Sequence, residues 1–213
     1  MKRNIGEFVS GKIGNVVFVS DGRSSYVRAA PNRKKNSWSE LQLLYRQRMS
    51  RAAALWRSFK SEKINKIWAY ASKHANSYAY FIQRNMESIS IDGTVFYPGK
   101  FFASDGNLVQ LGNLTAVQYL ISNSIVDLNW KNDPHFGPVR LNDSIYIIGY
   151  YESHFSKLVK TDLLRSDLQG NVTLPYIKNV DISDFQDYHL YVFTGASDES
   201  AFSSSQHFVF SSH

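Results

Sequence analysis

Side chains that could carry out chemistry are few in this sequence, and the histidines are the first to consider. The six histidines are His74, His135, His154, His189, His207 and His213. None of them has the H-x-x-x-H or H-E-x-x-H spacing of a zinc site on a helix. Loops of a β-sandwich could still gather His135 and His154, but exposed loop histidines are the simpler interpretation. The chain has no cysteine, which excludes a thiolate metal site. We therefore predict no metal site and no bound cofactor.

The acidic, serine and glycine patterns typical of enzymes are incomplete. Nothing in the spacing of Asp127, Asp133 and Asp143 sets two carboxylates the roughly 5–10 Å apart that glycosidase chemistry requires. The serines at positions 203–205 lack the G-x-S-x-G elbow of a hydrolase. The G-x-x-G spacing at positions 11–14 lacks the third glycine and the Lys-Ser/Thr pair of a phosphate-binding loop. We therefore predict that the chain is not an enzyme.

Charge is distributed unevenly along the 213 residues, whose net charge is +6. Residues 1–86 hold 17 lysines and arginines against 4 acidic residues, a net +13, whereas residues 87–213 hold 7 against 14, a net −7. A basic part of this size can dock on nucleic acid, on a membrane surface, on an acidic protein or head-to-tail on copies of the chain. A solvated basic helix face is the plain alternative. The basic residues that we predict to make contacts are Arg28, Arg33, Lys34, Lys35, Arg46, Arg51 and Arg57.

The composition also excludes several classes of protein. Hydrophobic residues make up 43% of the chain, enough to fill the core of one large domain or two small ones. Met1-Lys2-Arg3 is not followed by the apolar region of a signal peptide, and no run approaches the roughly 18 apolar residues of a membrane helix. The expectation is a protein made in the cytoplasm, with no signal peptide and no membrane insertion.

Residues 1–36 predict a β-ribbon followed by a basic linker. The expected strands are Glu7–Ser10, Asn15–Ser20 and Ser24–Arg28. The stretch Gly11–Gly14 should separate the first two strands. Asp21-Gly22 suits the type I′ turn of a hairpin, so the second and third strands should pair antiparallel. Residues 31–36 contain the proline and the basic residues of the linker.

Residues 37–86 predict a helical segment. Ser37 and Glu40 match a capping box, so a helix should begin near Trp38 and continue to about residue 59. Its apolar stripe, which we expect to be core, consists of Trp38, Leu41, Tyr45, Ala52, Leu55 and Phe59. Further helices are expected over residues 61–71 and 78–85.

Residues 87–213 predict an antiparallel, immunoglobulin-like β-sandwich. The runs with strand character are Leu108–Leu111, Ala116–Ile121, Ile125–Trp130, Ser144–Tyr151, Asn171–Leu174, Tyr188–Gly195 and His207–Ser211. Alternation of apolar and polar residues is typical of strands with one buried face. Trp130 is the candidate for the central core aromatic. Residues 157–167 fit either an edge strand or a short helix.

Aromatic residues suggest two further binding modes. The basic residues of the first 86 positions alternate with the aromatic residues Tyr26, Trp38, Tyr45, Trp56 and Trp68. DNA could be bound there without sequence readout, although most of these rings fall on the expected core stripe. A surface glycan could instead stack on Tyr150 and Tyr151 of the sandwich.

Several motifs together support a family resemblance. They are Gly11-Lys12-Ile13-Gly14-Asn15-Val16-Val17, Tyr26-Val27-Arg28, Pro31, and the run Gln42, Arg46 and Met49. This opening resembles an uncharacterised family of Bacteroides-type gut bacteria and their phages, which includes predicted phage virion proteins. Met49 stands where that family usually has an aromatic residue.

The resemblance implies a ribbon (1–36), a helical segment (37–86) and an immunoglobulin-like sandwich (87–213), and it carries over no catalytic residue. It implies a structural protein of a virion, such as an auxiliary capsid, head-tail connector or tail-associated protein. Its partners would be other virion proteins or copies of itself, bound through the basic N-terminal part. The alternatives are a glycan- or protein-binding surface module and a nonspecific DNA-binding protein.

Overall fold

The computed structural model describes residues 10–20, 24–31, 38–72, 76–120, 125–132, 141–175 and 187–210. The chain forms two compact units, Met1–Ser39 and Glu40–His213. Residues 7–9 of the predicted strand Glu7–Ser10, the turn Asp21-Gly22 and the capping residue Ser37 lie outside the described residues.

The first unit contains a three-stranded antiparallel ribbon with the strand order β1-β2-β3. Its strands are β1 (Gly11–Ile13), β2 (Val16–Ser20) and β3 (Ser25–Ala29). The predicted pairing of the second and third strands is confirmed, since Val17 lies opposite Arg28. The prediction that Gly11–Ile13 forms a separating loop is wrong. Gly14, at a φ of 57°, supports a tight turn that folds Ile13 back opposite Val16.

The second unit begins with three α-helices. They are α1 (Glu40–Phe59), α2 (Glu62–Ala71) and α3 (Ser77–Asn85). The Ser61 hydroxyl accepts a hydrogen bond from the backbone N–H of Ile64, and the Asn76 side chain accepts one from Ala79, so polar side chains cap α2 and α3. The three predicted helices are confirmed with boundary shifts of one or two residues.

Two antiparallel sheets follow the helices. Their strands are β4 (Gly112–Leu120), β5 (Ile125–Lys131), β6 (Ser144–Tyr151), β7 (His154–Phe155), β8 (Val159–Leu164), β9 (Gln169–Thr173), β10 (Tyr188–Gly195) and β11 (Gln206–Phe210). One sheet has the order β11-β10-β6-β7 with β8 also on β6, and the other has the order β4-β5-β9. Residues 157–167 therefore contain a strand, β8, followed by the 3-10 turn Arg165–Asp167.

The prediction of a strand at Leu108–Leu111 is wrong. Only Leu108 forms a β-bridge, to Ser203. The carbonyl oxygens of Val109 and Gln110 accept hydrogen bonds from the Arg165 side chain instead of from a neighbouring strand.

The core of the second unit has two parts, which lie on opposite faces of β6. Tyr146, Ile148 and Tyr150 join the aromatic side chains of the helices, whereas Ile145 and Ile147 join a second cluster with residues of β4, β5, β9 and β10. Trp130 is buried in that second cluster, as predicted. A mixed helix and sheet fold is confirmed. The charge boundary near residue 86 falls inside this unit, because the helices bury their apolar faces against the sheet.

No helix of the described residues is both long enough and apolar enough to cross a membrane.

Candidate docking surface and binding cleft

The predicted basic residues are distributed over both units of the chain. Arg28 lies on β3, whereas Arg46, Arg51 and Arg57 are exposed on α1. Arg33, Lys34 and Lys35 lie outside the described residues. Arg46 and Arg57 are eleven residues apart, about three helical turns, and so lie on the same side of α1, while Arg51 lies on another side.

The two faces of the ribbon differ in charge. The pairing register places Lys12, Val17 and Arg28 side by side on one face. The opposite face is uncharged and carries Ile13, Val16, Phe18, Val27 and Ala29. A three-stranded ribbon buries little apolar surface by itself, and Ile13 and Val27 are exposed. Each face therefore offers a different kind of contact surface.

The apolar stripe of α1 is buried only in its second half. Ala52, Trp56 and Phe59 belong to the core. Leu41 and Tyr45 continue the same stripe at helical spacing but are 53% and 51% exposed. The prediction that the whole stripe is core is therefore wrong for its first half.

We call the exposed first half of this stripe the α1 stripe; its members within α1 are Leu41, Tyr45 and Met49, all exposed. The arginines Arg46 and Arg51 lie on either side of it, by their spacing along the helix. An apolar strip bordered by cations is suited to an apolar surface with an acidic rim.

The prediction that Tyr150 and Tyr151 form an exposed stacking platform is wrong. Both side chains are buried. The Tyr150 ring packs against Phe96 and Phe155, with centroid distances of 5.0 Å and 4.8 Å. Tyr151 points to the opposite core cluster, because β6 is covered on both faces.

Two histidines that are distant in sequence form a pair on neighbouring strands. His189 of β10 and His207 of β11 place Nδ1 and Nε2 only 2.9 Å apart, with nearly parallel rings. Burial lowers the pKa of His207 to about 4, with a further contribution from His189. Burial also lowers the pKa of His189, opposed by the charge of Asp187. In the neutral pair one nitrogen donates and the other accepts, an arrangement that double protonation removes.

This pair predicts a loss of stability in acid. Between pH 6.5 and about 4 the unfolded chain binds protons that the folded pair does not, so the free energy of unfolding should fall as the pH falls through this range. The measurement is urea unfolding at several pH values for the wild type and for His207→Gln. The free energy of unfolding of this variant should fall less over this pH range than that of the wild type.

His154→Gln is the matched control, because His154 is exposed on β7. The free energy of unfolding of this variant should change with pH as that of the wild type does. If the free energy of unfolding of His207→Gln fell with pH as steeply as that of the wild type, the histidine pair would not be the cause of the loss of stability in acid.

A cleft lies between the end of α2, α3 and two loops of the second unit. It has a volume of about 640 Å³. Its lining includes the side chains of Tyr70, Tyr80, Gln83, Asp105, Asn107 and Phe202. We call it the Tyr70 cleft. Within the described ranges, no three histidine or acidic side chains gather as a metal site would require.

Asp105 is the fixed centre of the Tyr70 cleft. Its Oδ2 atom accepts a hydrogen bond of 2.8 Å from the Tyr80 hydroxyl and lies 2.7 Å from Nε of Arg84. Its Oδ1 atom accepts a hydrogen bond of 2.6 Å from the Ser204 hydroxyl. Burial, followed by the hydrogen bond to Asp105, raises the pKa of Tyr80, so this phenol remains a donor at neutral pH.

The sequence does not predict this cleft. Its side chains come from four separate segments, and no motif or period connects them. The histidine pair had a detectable signal, because both residues lie in the runs predicted as the last two strands. A comparison with protein families and with curated proteins finds no match for this chain.

Proposed function

We propose that the chain is a non-enzymatic structural subunit of a phage virion that docks on copies of itself through the α1 stripe. The observation that carries this proposal is the exposure of Leu41, Tyr45 and Met49 on a helix face that is core further along. Exposed, contiguous apolar side chains between charged neighbours are typical of protein interfaces. The virion setting rests on the sequence resemblance.

The occupant of the α1 stripe is inferred from charge. Pairing two α1 stripes would bring arginines of both copies together, which is unfavourable. Residues 87–213 carry a net −7, and Asp162 and Asp167 are among their exposed acids. The basic-rimmed stripe of one copy therefore fits the acidic part of the next, a head-to-tail contact that produces rings or filaments.

The core shared by the two sheets supports the finer interpretation that residues 87–213 form an immunoglobulin-like sandwich. In that arrangement the sheets present the acidic surface on which the neighbouring α1 stripe docks. Nonspecific DNA contact through residues 1–86 stays a prediction, and the separation of Arg46, Arg51 and Arg57 around α1 does not favour it.

A pair of leucines on α1 tests the proposal. Leu41→Glu places a charge in the stripe and should turn a concentration-dependent oligomer into a monomer. Leu43→Glu is the matched control, since Leu43 is 49% exposed on the opposite side of the same helix, and it should leave the oligomer intact. Light scattering on the full chain measures both.

The oligomer should also weaken with added salt, because charge complementarity contributes to it. A wild-type chain that stays monomeric at every concentration would contradict docking on copies. Absence of the chain from purified particles, measured by mass spectrometry, would contradict the virion setting.

A further inference from the structure

We propose that the Tyr70 cleft binds neutral sugar units of a surface glycan. This site is separate from the α1 stripe, and the proposal does not depend on the proposed function. It rests on an exposed aromatic ring, on two side-chain amides that line the same cleft, and on the pairing of the one charged side chain among the described lining residues.

Tyr70 supplies the stacking surface. Its side chain is 54% exposed at the end of α2, and its ring centroid lies 6.2 Å from that of Phe202, which is buried. Because the Tyr70 ring packs at a tilt of 38° against Phe202, less side-chain entropy is lost when its exposed face binds a ligand. The C–H groups on the apolar face of a pyranose pack favourably on such a π face.

Gln83 and Asn107 supply the polar contacts. Both are exposed and line the cleft together with Tyr70. A carboxamide offers a donor and an acceptor side by side, which matches two neighbouring sugar hydroxyls. A volume of about 640 Å³ falls within the usual range for small-ligand sites and would admit one or two sugar units.

The cleft is rigid on the side of Asn107. Gly106 approaches the backbone of Phe202 so closely that an added Cβ would lie 2.1 Å from the Phe202 carbonyl oxygen. The backbone N–H of Leu108 donates to that same oxygen at 3.1 Å. Together with the three contacts of Asp105, they fix the backbone on both sides of Asn107 before a ligand arrives, which favours binding.

Charge selects the class of ligand. Among the described lining residues Asp105 is the only charged one, and Arg84 pairs with it. A phosphate or a carboxylate would find no uncompensated cation among these side chains, whereas a neutral polyol needs none. The geometry therefore points to neutral hexose or N-acetylhexosamine units rather than to a nucleotide or an acidic sugar.

The test uses the full chain on an array of oligosaccharides made of neutral hexoses and N-acetylhexosamines, with sialylated and sulfated counterparts. Binding to neutral members is expected, and calorimetry with a bound member then gives its dissociation constant. Tyr70→Ala should weaken binding about tenfold or more, because an aromatic anchor is removed. Asn107→Ala should weaken it as well.

Tyr97→Ala is the matched control, since Tyr97 is another exposed tyrosine of the same unit, 42% exposed and outside the cleft. It should bind as the wild type does. Far-UV circular dichroism checks that each variant is folded, and Asn107→Ala replaces Tyr70→Ala if the latter is not. Absence of binding to neutral sugars, binding of charged sugars alone, or wild-type affinity in a folded cleft variant would overturn the proposal.

Discussion

Replacing Arg165 with methionine is expected to lower the free energy of unfolding by about 3–5 kcal/mol. Arg165 and Asp143 are both buried, with Nε of the guanidinium 3.7 Å from a carboxylate oxygen. The same guanidinium donates to the Thr194 hydroxyl and to the carbonyl oxygens of Val109 and Gln110. Methionine fills much of the volume but leaves the buried Asp143 carboxylate and two part-buried carbonyl groups with fewer partners.

Equilibrium unfolding in urea measures this effect. The double variant Asp143→Leu/Arg165→Met should be less destabilised than Arg165→Met alone, because it also removes the buried carboxylate that has lost its contact with Arg165. Lys66→Met is the control for the loss of an exposed ion pair, since Lys66 lies 3.6 Å from Glu62 on the surface of α2. It should change stability by less than about 1 kcal/mol. If Arg165→Met lowered the free energy of unfolding by less than about 1 kcal/mol, the stabilising role of the Arg165–Asp143 pair would be contradicted.

Replacing Phe81 with alanine should also cost about 3–5 kcal/mol. Phe81 of α3 is fully buried, and its ring contacts Trp56 and Phe59 of α1 and Trp68 of α2, with centroid distances of 4.8, 5.7 and 5.1 Å. It also meets Phe101, which packs on Tyr191 of β10. Alanine at this position removes the ring that joins the three helices and connects them to the sheet.

The measurement compares two probes of unfolding, helical circular dichroism and tryptophan fluorescence. Both transitions should shift together to lower urea in Phe81→Ala, because the helices and the sheet share one core. Phe81→Leu keeps most of the apolar volume, so its free energy of unfolding should fall much less than that of Phe81→Ala. A circular dichroism transition at a different urea concentration from the fluorescence transition would contradict the shared core.

The sequence was sufficient to predict which segments form helices and most of the strands. Hydrophobic periodicity identifies α2 and α3, and alternation identifies β5, in which Val126, Leu128 and Trp130 are buried. These signals are local, so they do not depend on which elements become neighbours.

What the sequence could not provide is the identity of those neighbours. The spacing of apolar residues in α1 shows which face of the helix is apolar. It does not show that only the second half of that face packs against other elements of the unit. Tyr150 and Tyr151 look like exposed strand residues until β6 is known to be covered on both faces. The Tyr70 cleft brings together residues as far apart in sequence as Tyr70 and Phe202, and no local pattern encodes such a separation.

The docking of the α1 stripe on the acidic part of another copy can be detected directly by cross-linking. A photoreactive benzoylphenylalanine at Tyr45 is irradiated in a mixture of isotope-labelled and unlabelled full-length chains, and the cross-linked peptides are identified by mass spectrometry. The same group at Leu43 is the control. We expect cross-links between copies from position 45 to residues 87–213, and few from position 43. Absence of cross-links between copies, or cross-links from position 45 that end within residues 1–86, would contradict this docking.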